Sequence, residues 1–192
     1  MTNALWYLGR GTGVSVLVLF TLVMVFGVAV RTGRPLPGLP RFALAALHRT
    51  TSLTALGLLA VHIVTLLSDP YAQLRLLDVV LPFGGAYKPL WLGFGTLAAD
   101  LVVVLIVTSL LRQRIGRRAW RVLHWTAYAC WPLAMAHAIG NGTDGTSTWL
   151  LAAAGACALA VIAALTWRVA ATATDAVATA FVPAPMNLTG PR

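Results

Sequence analysis

The sequence predicts an all-α fold: a polytopic membrane helical bundle of five transmembrane helices, with the N-terminus outside and the C-terminus in the cytoplasm. Three observations carry this reading. Of 192 residues, 59% are hydrophobic and only 10% are charged, an apolar share above and a charged share far below the norm for soluble domains. The apolar residues fall into five long blocks almost free of charge, more than one globular core of this size can use, whereas a bilayer accepts spans of ~20 residues across ~30 Å of hydrocarbon. The basic residues gather at alternate block ends. Five spans consume roughly 100 to 110 residues and leave too few for a separate soluble catalytic domain, so any chemistry has to occur inside the helices.

The first block, residues 13–30, precedes the basic turn "RTGRPLPGLPR". It is too long for a signal peptide, carries as much charge after it as before it, and lacks an A-x-A cleavage site, so it reads as a retained span. The second block, 42–67, leads into "SDPYAQLRLLDVVLPFGGAYKP", a semi-polar connection at the membrane interface whose Pro70, Pro82, Gly84 and Gly85 argue against another span. The third block covers 90–111, "RQRIGRR" is the next turn, the fourth block covers 120–139, "GNGTDGTS" is a tight loop, and the fifth block covers 149–170. Residues 5–170 thus form one membrane domain, and 171–192 read as a short flexible tail.

All five acidic residues are Asp, against 13 Arg and one Lys, for a net charge of +9. Alternating the loops places Arg31, Arg34, Arg41, Arg49, Arg112, Arg114, Arg117, Arg118, Arg121, Arg168 and Arg192 on one face with Asp175, a net +10. The other face is neutral, with Arg10, Arg75 and Lys88 against Asp69, Asp78 and Asp144. That asymmetry sets the orientation, in the plasma (inner) membrane, and Trp6, Trp91, Trp120 and Trp149 near block ends fit interfacial belts. No basic run interleaves with aromatics on a polar face, so no nucleic-acid partner is expected; the lipid bilayer is. Cys130 and Cys157 lie within apolar blocks without CxxC or CxxCH context and read as small buried hydrophobes.

The four histidines lie in two blocks: His48 and His62 in the second, His124 and His137 in the fourth, 14 and 13 residues apart. Both blocks run outward from the cytoplasmic side, so His48 and His124 share an inner level and His62 and His137 an outer one, ~20 Å apart at ~1.5 Å per residue. Fourteen residues return to nearly the same helix face, ~40° short of four turns, whereas thirteen fall ~140° short. A kink at Pro132 is the expected means of turning the outer imidazole to its partner. A matched two-by-two ladder suits two haems stacked across the membrane, each ligated by two neutral imidazoles, a low-spin arrangement without an open position that favours electron passage over oxygen chemistry. Two levels so far apart cannot join one zinc or copper sphere, and neither pair has Cys or carboxylate at tetrahedral spacing. Isolated helix-packing histidines remain the plain alternative. A small transporter or structural membrane protein is the non-redox one, supported only by Pro132 and Asp100.

The stretches "LWYLGRGTG", "LHRTTSLTALGLLAVH", "PFGGAYKPLWLGFGTLAADL" and "TSLLRQRIGRRAWRVLHWTAYACWPLAMAH" resemble an actinobacterial member of the ferric reductase-like transmembrane domain family. The family is distantly similar to the membrane halves of NADPH oxidases and to the haem subunit of methionine sulfoxide reductase systems. The resemblance covers roughly residues 5–145 and implies haem b ligated by His48 with His124 and by His62 with His137, the pairing that topology gives independently. It also implies an oxidoreductase component for transmembrane electron transfer. Larger members carry a sixth span and often a cytoplasmic FAD and nicotinamide domain, neither of which is expected here, and no G-x-G-x-x-G fingerprint occurs in a strand-turn-helix context. The expected donor is therefore a cytoplasmic flavin reductase or quinol, and the acceptor an extracytoplasmic redox protein, metal or small molecule. A single-haem quinol-oxidising or membrane-anchor subunit is the alternative within the redox class.

Arg49, directly after His48, and Arg121, one turn before His124, are candidates to bind inner-haem propionates, since guanidinium matches carboxylate geometry; a positive-inside anchor would place them equally well. Arg112, Arg114, Arg117 and Arg118 read as anchors that also suit an acidic cytoplasmic donor, and Arg10 is a weaker candidate on the outer face. Asp100, deep in the third block, costs roughly 2.5 to 3.5 kcal/mol to insert when charged, so it is expected either to bond a ligand histidine or Thr96, or to be protonated against a neighbouring helix. Trp125, Tyr128 and Trp131 read mainly as packing residues. Gly9, Gly11, Gly13, Gly93 and Gly95 permit close approach of helices or of a porphyrin.

Overall fold

A computed structural model describes residues 4–33, 39–142 and 145–180, the last stretch as backbone only beyond residue 174. Arg34, Asp144, Arg192 and residues 181–192 of the expected tail lie outside the described residues, as does the side chain of Asp175. Among the described residues the fold is helical without strands: α1 (Ala4–Thr32), α2 (Arg41–Ser68), α3 (Leu76–Val80), α4 (Pro89–Leu110), α5 (Arg112–His124), α6 (Ala127–Asn141) and α7 (Thr148–Ala180). Helix α7 continues through 171–180, which the sequence had suggested as tail.

Four helices are long and apolar enough to cross a membrane: α1, α2, α4 and the Thr148–Thr174 part of α7. The expected count was five. The fourth block does not form one helix but divides between α5 and α6, and α6, at 15 residues, is shorter than the ~20 a span requires. The break lies at Trp125 and Thr126, where successive backbone bonds run three residues back (Trp125 to Val122, Thr126 to Leu123, Tyr128 to Trp125, Ala129 to Thr126). This break precedes Pro132, the expected site of a kink, which sits inside α6. A three-residue turn winds ~120° per residue instead of ~100°, so a tightened stretch of several residues removes most of the ~140° shortfall between His124 and His137. A second interruption, at Gly116 (φ 81°), divides α5 itself.

The helices settle their own polar groups, as a lipid environment demands. The hydroxyls of Thr12, Ser15 and Thr21 donate back to the carbonyls of Leu8, Gly11 and Leu17 at 2.7, 2.8 and 3.0 Å. Helix α4 opens with Pro89 in its first turn, where a missing N–H is harmless. The core is made chiefly of small residues and centres on α1, which packs against α2, α6 and α7. Phe42, Leu53, Val64, Leu110 and Leu159 point outward, as lipid-facing side chains do. Trp131 Nε1–H donates to Thr21 Oγ1 at 3.0 Å and ties α6 to α1. Thr21→Val is expected to lower unfolding free energy in a mild-detergent titration by about 0.6 kcal/mol, and by no more than about 1.7, the range for such bonds between membrane helices.

The connection between α2 and α4 is held by one ion pair. Arg75 Nη2 lies 3.0 Å from Asp78 Oδ1, the Arg75 backbone N–H donates to Asp78 Oδ2 at 3.0 Å, and Thr96 Oγ1–H anchors α3 to α4 through the Asp78 carbonyl at 2.7 Å. The guanidinium hydrogen bond, helped by that backbone N–H, holds the Asp78 carboxyl below the usual carboxylate range. A carboxyl depressed in the folded state contributes its full stabilisation above its unfolded pKa and loses it as pH falls through the lower folded value. Amide exchange over 76–80 is therefore expected to stay slow at neutral pH and to accelerate only in acid below the usual carboxylate range. Asp78→Asn should show the fast exchange at every pH.

Candidate functional site

The structure brings the four histidines together as two pairs: His48 and His62 of α2 face His124, at the end of α5, and His137 of α6. Ring centroids of His48 and His124 lie 6.5 Å apart with planes at 72°, and those of His62 and His137 lie 6.4 Å apart at 83°. The supporting helices keep their backbones apart: α2 packs on α1, and α6 on α4 and α1, without extensive backbone contact between α2 and α6. Half of either separation, less roughly 1.1 Å from ring centre to ring nitrogen, leaves about 2.1 Å, the usual imidazole–metal bond length. That is the spacing two imidazoles would show if both bonded one metal ion through facing nitrogens. Among the described residues no group of three or more His, Cys, Asp or Glu comes together, so the arrangement is two pairs and not a cluster.

Three of the rings are oriented by the same backbone device. His62 Nδ1 meets the Gly9 carbonyl at 2.8 Å, His48 Nδ1 the Val23 carbonyl at 3.0 Å, and His137 Nδ1 the Trp91 carbonyl at 2.9 Å. Four residues after each carbonyl stands a glycine: Gly13, Gly27 and Gly95. A Cβ there would meet the imidazole, at 2.9 Å for Gly13 against His62 Cε1 and 3.3 Å for Gly27 against His48 Cε1, and closer still for Gly95 against His137. A carbonyl has two lone pairs, so it can serve its own helix and accept a second donor, provided that no side chain one turn later blocks the approach. Nδ1–H bonded to a carbonyl fixes the neutral tautomer and leaves the Nε2 lone pair for a ligand bond. Sequence reasoning found Gly13 and Gly95 and missed Gly27. Its signal was present: Gly13 and Gly27 are 14 residues apart, the same interval as His48 and His62 on the facing helix. His124 differs, its Nδ1 being buried without a hydrogen-bond partner among the described residues.

A cavity of about 440 Å³ opens at the outer pair, lined by His62, His137, Gly13, Gly95, Arg10 and Asn141 among others, a volume within the ~300–1,000 Å³ of cofactor sites. The residues present fit a planar bis-imidazole cofactor: paired rings at ligand spacing, fixed tautomers, and glycines where bulk would intrude. Residues 12–135 match the family described as ferric reductase like transmembrane component. The chain belongs to that family. No curated protein and no solved structure matches it.

As a member of the ferric reductase-like family with four long apolar helices, the chain is a multi-pass membrane protein of a class that works in membrane electron transfer and depends on redox partners. The match spans both inner and outer levels, taking in His48, His62 and His124, and ends two residues before His137. Arg49 and Arg121 are exposed and, among the described residues, make no hydrogen bond or ion pair. Arg10 lines the outer cavity, with its guanidinium carbon 4.9 Å from the Trp6 ring centre.

Asp100 does not meet its expected partners. It is half-exposed on α4 without a hydrogen bond among the described residues, while the Thr96 hydroxyl donates to the Asp78 and Leu92 carbonyls and three of the ligand-candidate rings use backbone oxygen. Backbone carbonyls displace it because they lie one glycine-cleared approach away. The fourth-block aromatics pack: Trp131 on Thr21, and Trp125 and Tyr128 against Arg168, whose guanidinium also donates to the Tyr128 hydroxyl.

Proposed function

We propose that this ferric reductase-like chain is a b-type dihaem electron-transfer protein. His48 with His124 would hold one haem b near the cytoplasmic side, and His62 with His137 a second near the outer side. The observation that supports this most is the double pair, each with 6.4 or 6.5 Å between ring centres. Bound haem iron supplies one-electron chemistry between its ferric and ferrous states. The chain's own residues do the rest. Carbonyls of Gly9, Val23 and Trp91 hold three imidazoles neutral and aimed, and two imidazoles at each site would leave no open position for oxygen-atom chemistry, in favour of passing electrons on.

The proposed topology has five spans, the end of α5 from Trp120 together with α6 making the fourth, with the N-terminus outside and the C-terminus in the cytoplasm of a cell whose plasma membrane holds the protein. The Arg-rich face supports that orientation. Arg49 and Arg121 at the inner level and Arg10 in the outer cavity are proposed to pair with haem propionates. Exposed Arg114, Arg117 and Arg118 on α5 suit an acidic cytoplasmic donor such as a flavin reductase, with quinol as the other source of electrons. The acceptor would be an extracytoplasmic redox protein, metal or small molecule.

The test is directional transfer in vesicles. Protein reconstituted with a membrane-impermeant reductant inside and an impermeant ferric chelate outside should reduce the chelate, and His62→Ala should abolish this. Equal rates with and without protein would overturn the proposal.

A further inference from the structure

Three ligand-candidate histidines share one device, and the fourth does not. On α4 the pattern at the outer level is the Trp91 carbonyl with Gly95 four residues later, serving His137. The α1 pattern repeats after 14 residues, from Gly9 and Gly13 to Val23 and Gly27. Carrying Trp91 and Gly95 down α4 by that interval reaches Leu105 and Ser109. The glycine is replaced by a residue with a side chain, and the Leu105 carbonyl already accepts the Thr108 hydroxyl at 3.2 Å. His124 correspondingly keeps a buried Nδ1 with no hydrogen-bond partner among the described residues.

Something else holds that ring. The Trp120 indole stacks on His124, with centroids 4.8 Å apart and planes at 27°. Its Nε1–H reaches Ser109 Oγ at 3.4 Å, the residue standing in the fourth glycine's place. Arg112 lies over the other element of this stack, with its guanidinium carbon 5.5 Å from the Trp120 ring. We infer that Trp120, braced by Ser109 and Arg112, is the positioning residue of the inner site, fixing the His124 ring plane by stacking where the other three rings are fixed by a carbonyl. This inference rests on the dihaem reading.

A stacked contact constrains the plane of a ring, and the low-spin ferric signal of a bis-imidazole centre depends on the angle between its two ring planes, here 72° at the inner pair. The experiment is electron paramagnetic resonance of the purified, oxidised holoprotein, with the signal missing in His124→Ala defining the inner site and the one that remains defining the outer. Trp120→Leu should shift or broaden the inner signal's largest g value, or remove that signal, and leave the outer signal unchanged. Trp120→Phe, which keeps a ring to stack but not the bond to Ser109, should restore an inner signal near wild type. An inner signal unchanged in Trp120→Leu overturns the inference, as does loss of both signals together, or a Phe variant that behaves like Leu. If the wild type itself shows no haem signal, the dihaem reading fails and not the assignment of Trp120 alone.

Discussion

His137→Ala is expected to yield a folded protein that has lost one haem of two. On the dihaem proposal the outer pair acts as a unit: with one imidazole gone, His62 alone would offer a single bond to the haem iron. The inner pair, ~20 Å away along the helices, keeps both ligands. Haem per chain should therefore fall from about two to about one in a pyridine haemochrome assay. The sharper outcome is the grouping. His62→Ala should give the same residual spectrum as His137→Ala, and His48→Ala the same as His124→Ala, since each pair is proposed to share one iron. The double variant His62→Ala with His137→Ala should lose no more than either single change, since coupled ligands of one site are not additive. A His62→Ala spectrum that matched His124→Ala would contradict the pairing.

Gly95→Ala is expected to damage the outer site as severely as removing a ligand, without touching any histidine. A Cβ at this position collides with the His137 ring, and Gly13→Ala places a methyl 2.9 Å from His62 Cε1. Either ring must leave its carbonyl, losing both the fixed tautomer and the aim of Nε2, and disturbed outer-shell support typically lowers metal affinity by about 10–100-fold. Gly27→Ala, at 3.3 Å from His48 Cε1, should act on the inner site and more mildly, because a shift of a few tenths of an ångström relieves it. Gly11→Ala meets nothing within 4 Å and should bind both haems normally. Haem titration of the four apoproteins checks the order, with Gly95 most affected and Gly11 least. Equal loss in all four would mean that these glycines serve helix packing in general.

Composition and charge made the membrane class and most helices legible, because hydrocarbon filters sequence harshly. A run such as 42–67 with no acidic residue leaves few readings. The ladder His48, His62, His124 and His137 was legible for a similar reason, since imidazoles are rare enough in apolar helices for their spacing to carry information. The division of the fourth block between two helices was not legible because hydropathy averages over the tightened turn at Trp125 and Thr126, which interrupts the helix without interrupting the apolar run. Pro132 drew the kink in the sequence reading because a missing N–H is visible in one letter, whereas a three-residue turn has no single-residue mark. The orienting groups of the site were hidden more deeply. They are carbonyl oxygens, which every residue owns, and only the glycine four positions later gives them away. Asp100 attracted attention as the one acidic residue deep in an apolar block, yet the rings found acceptors that need no side chain.

The most direct test of the account is the haem content and ferric spectrum of the purified protein, expressed with adequate haem. Two b-type haems per chain are expected, both low-spin with bis-imidazole signatures, and each lost separately when one histidine of its pair is replaced. A folded protein that stays colourless, or one whose haem survives substitution of all four histidines in turn, would contradict it.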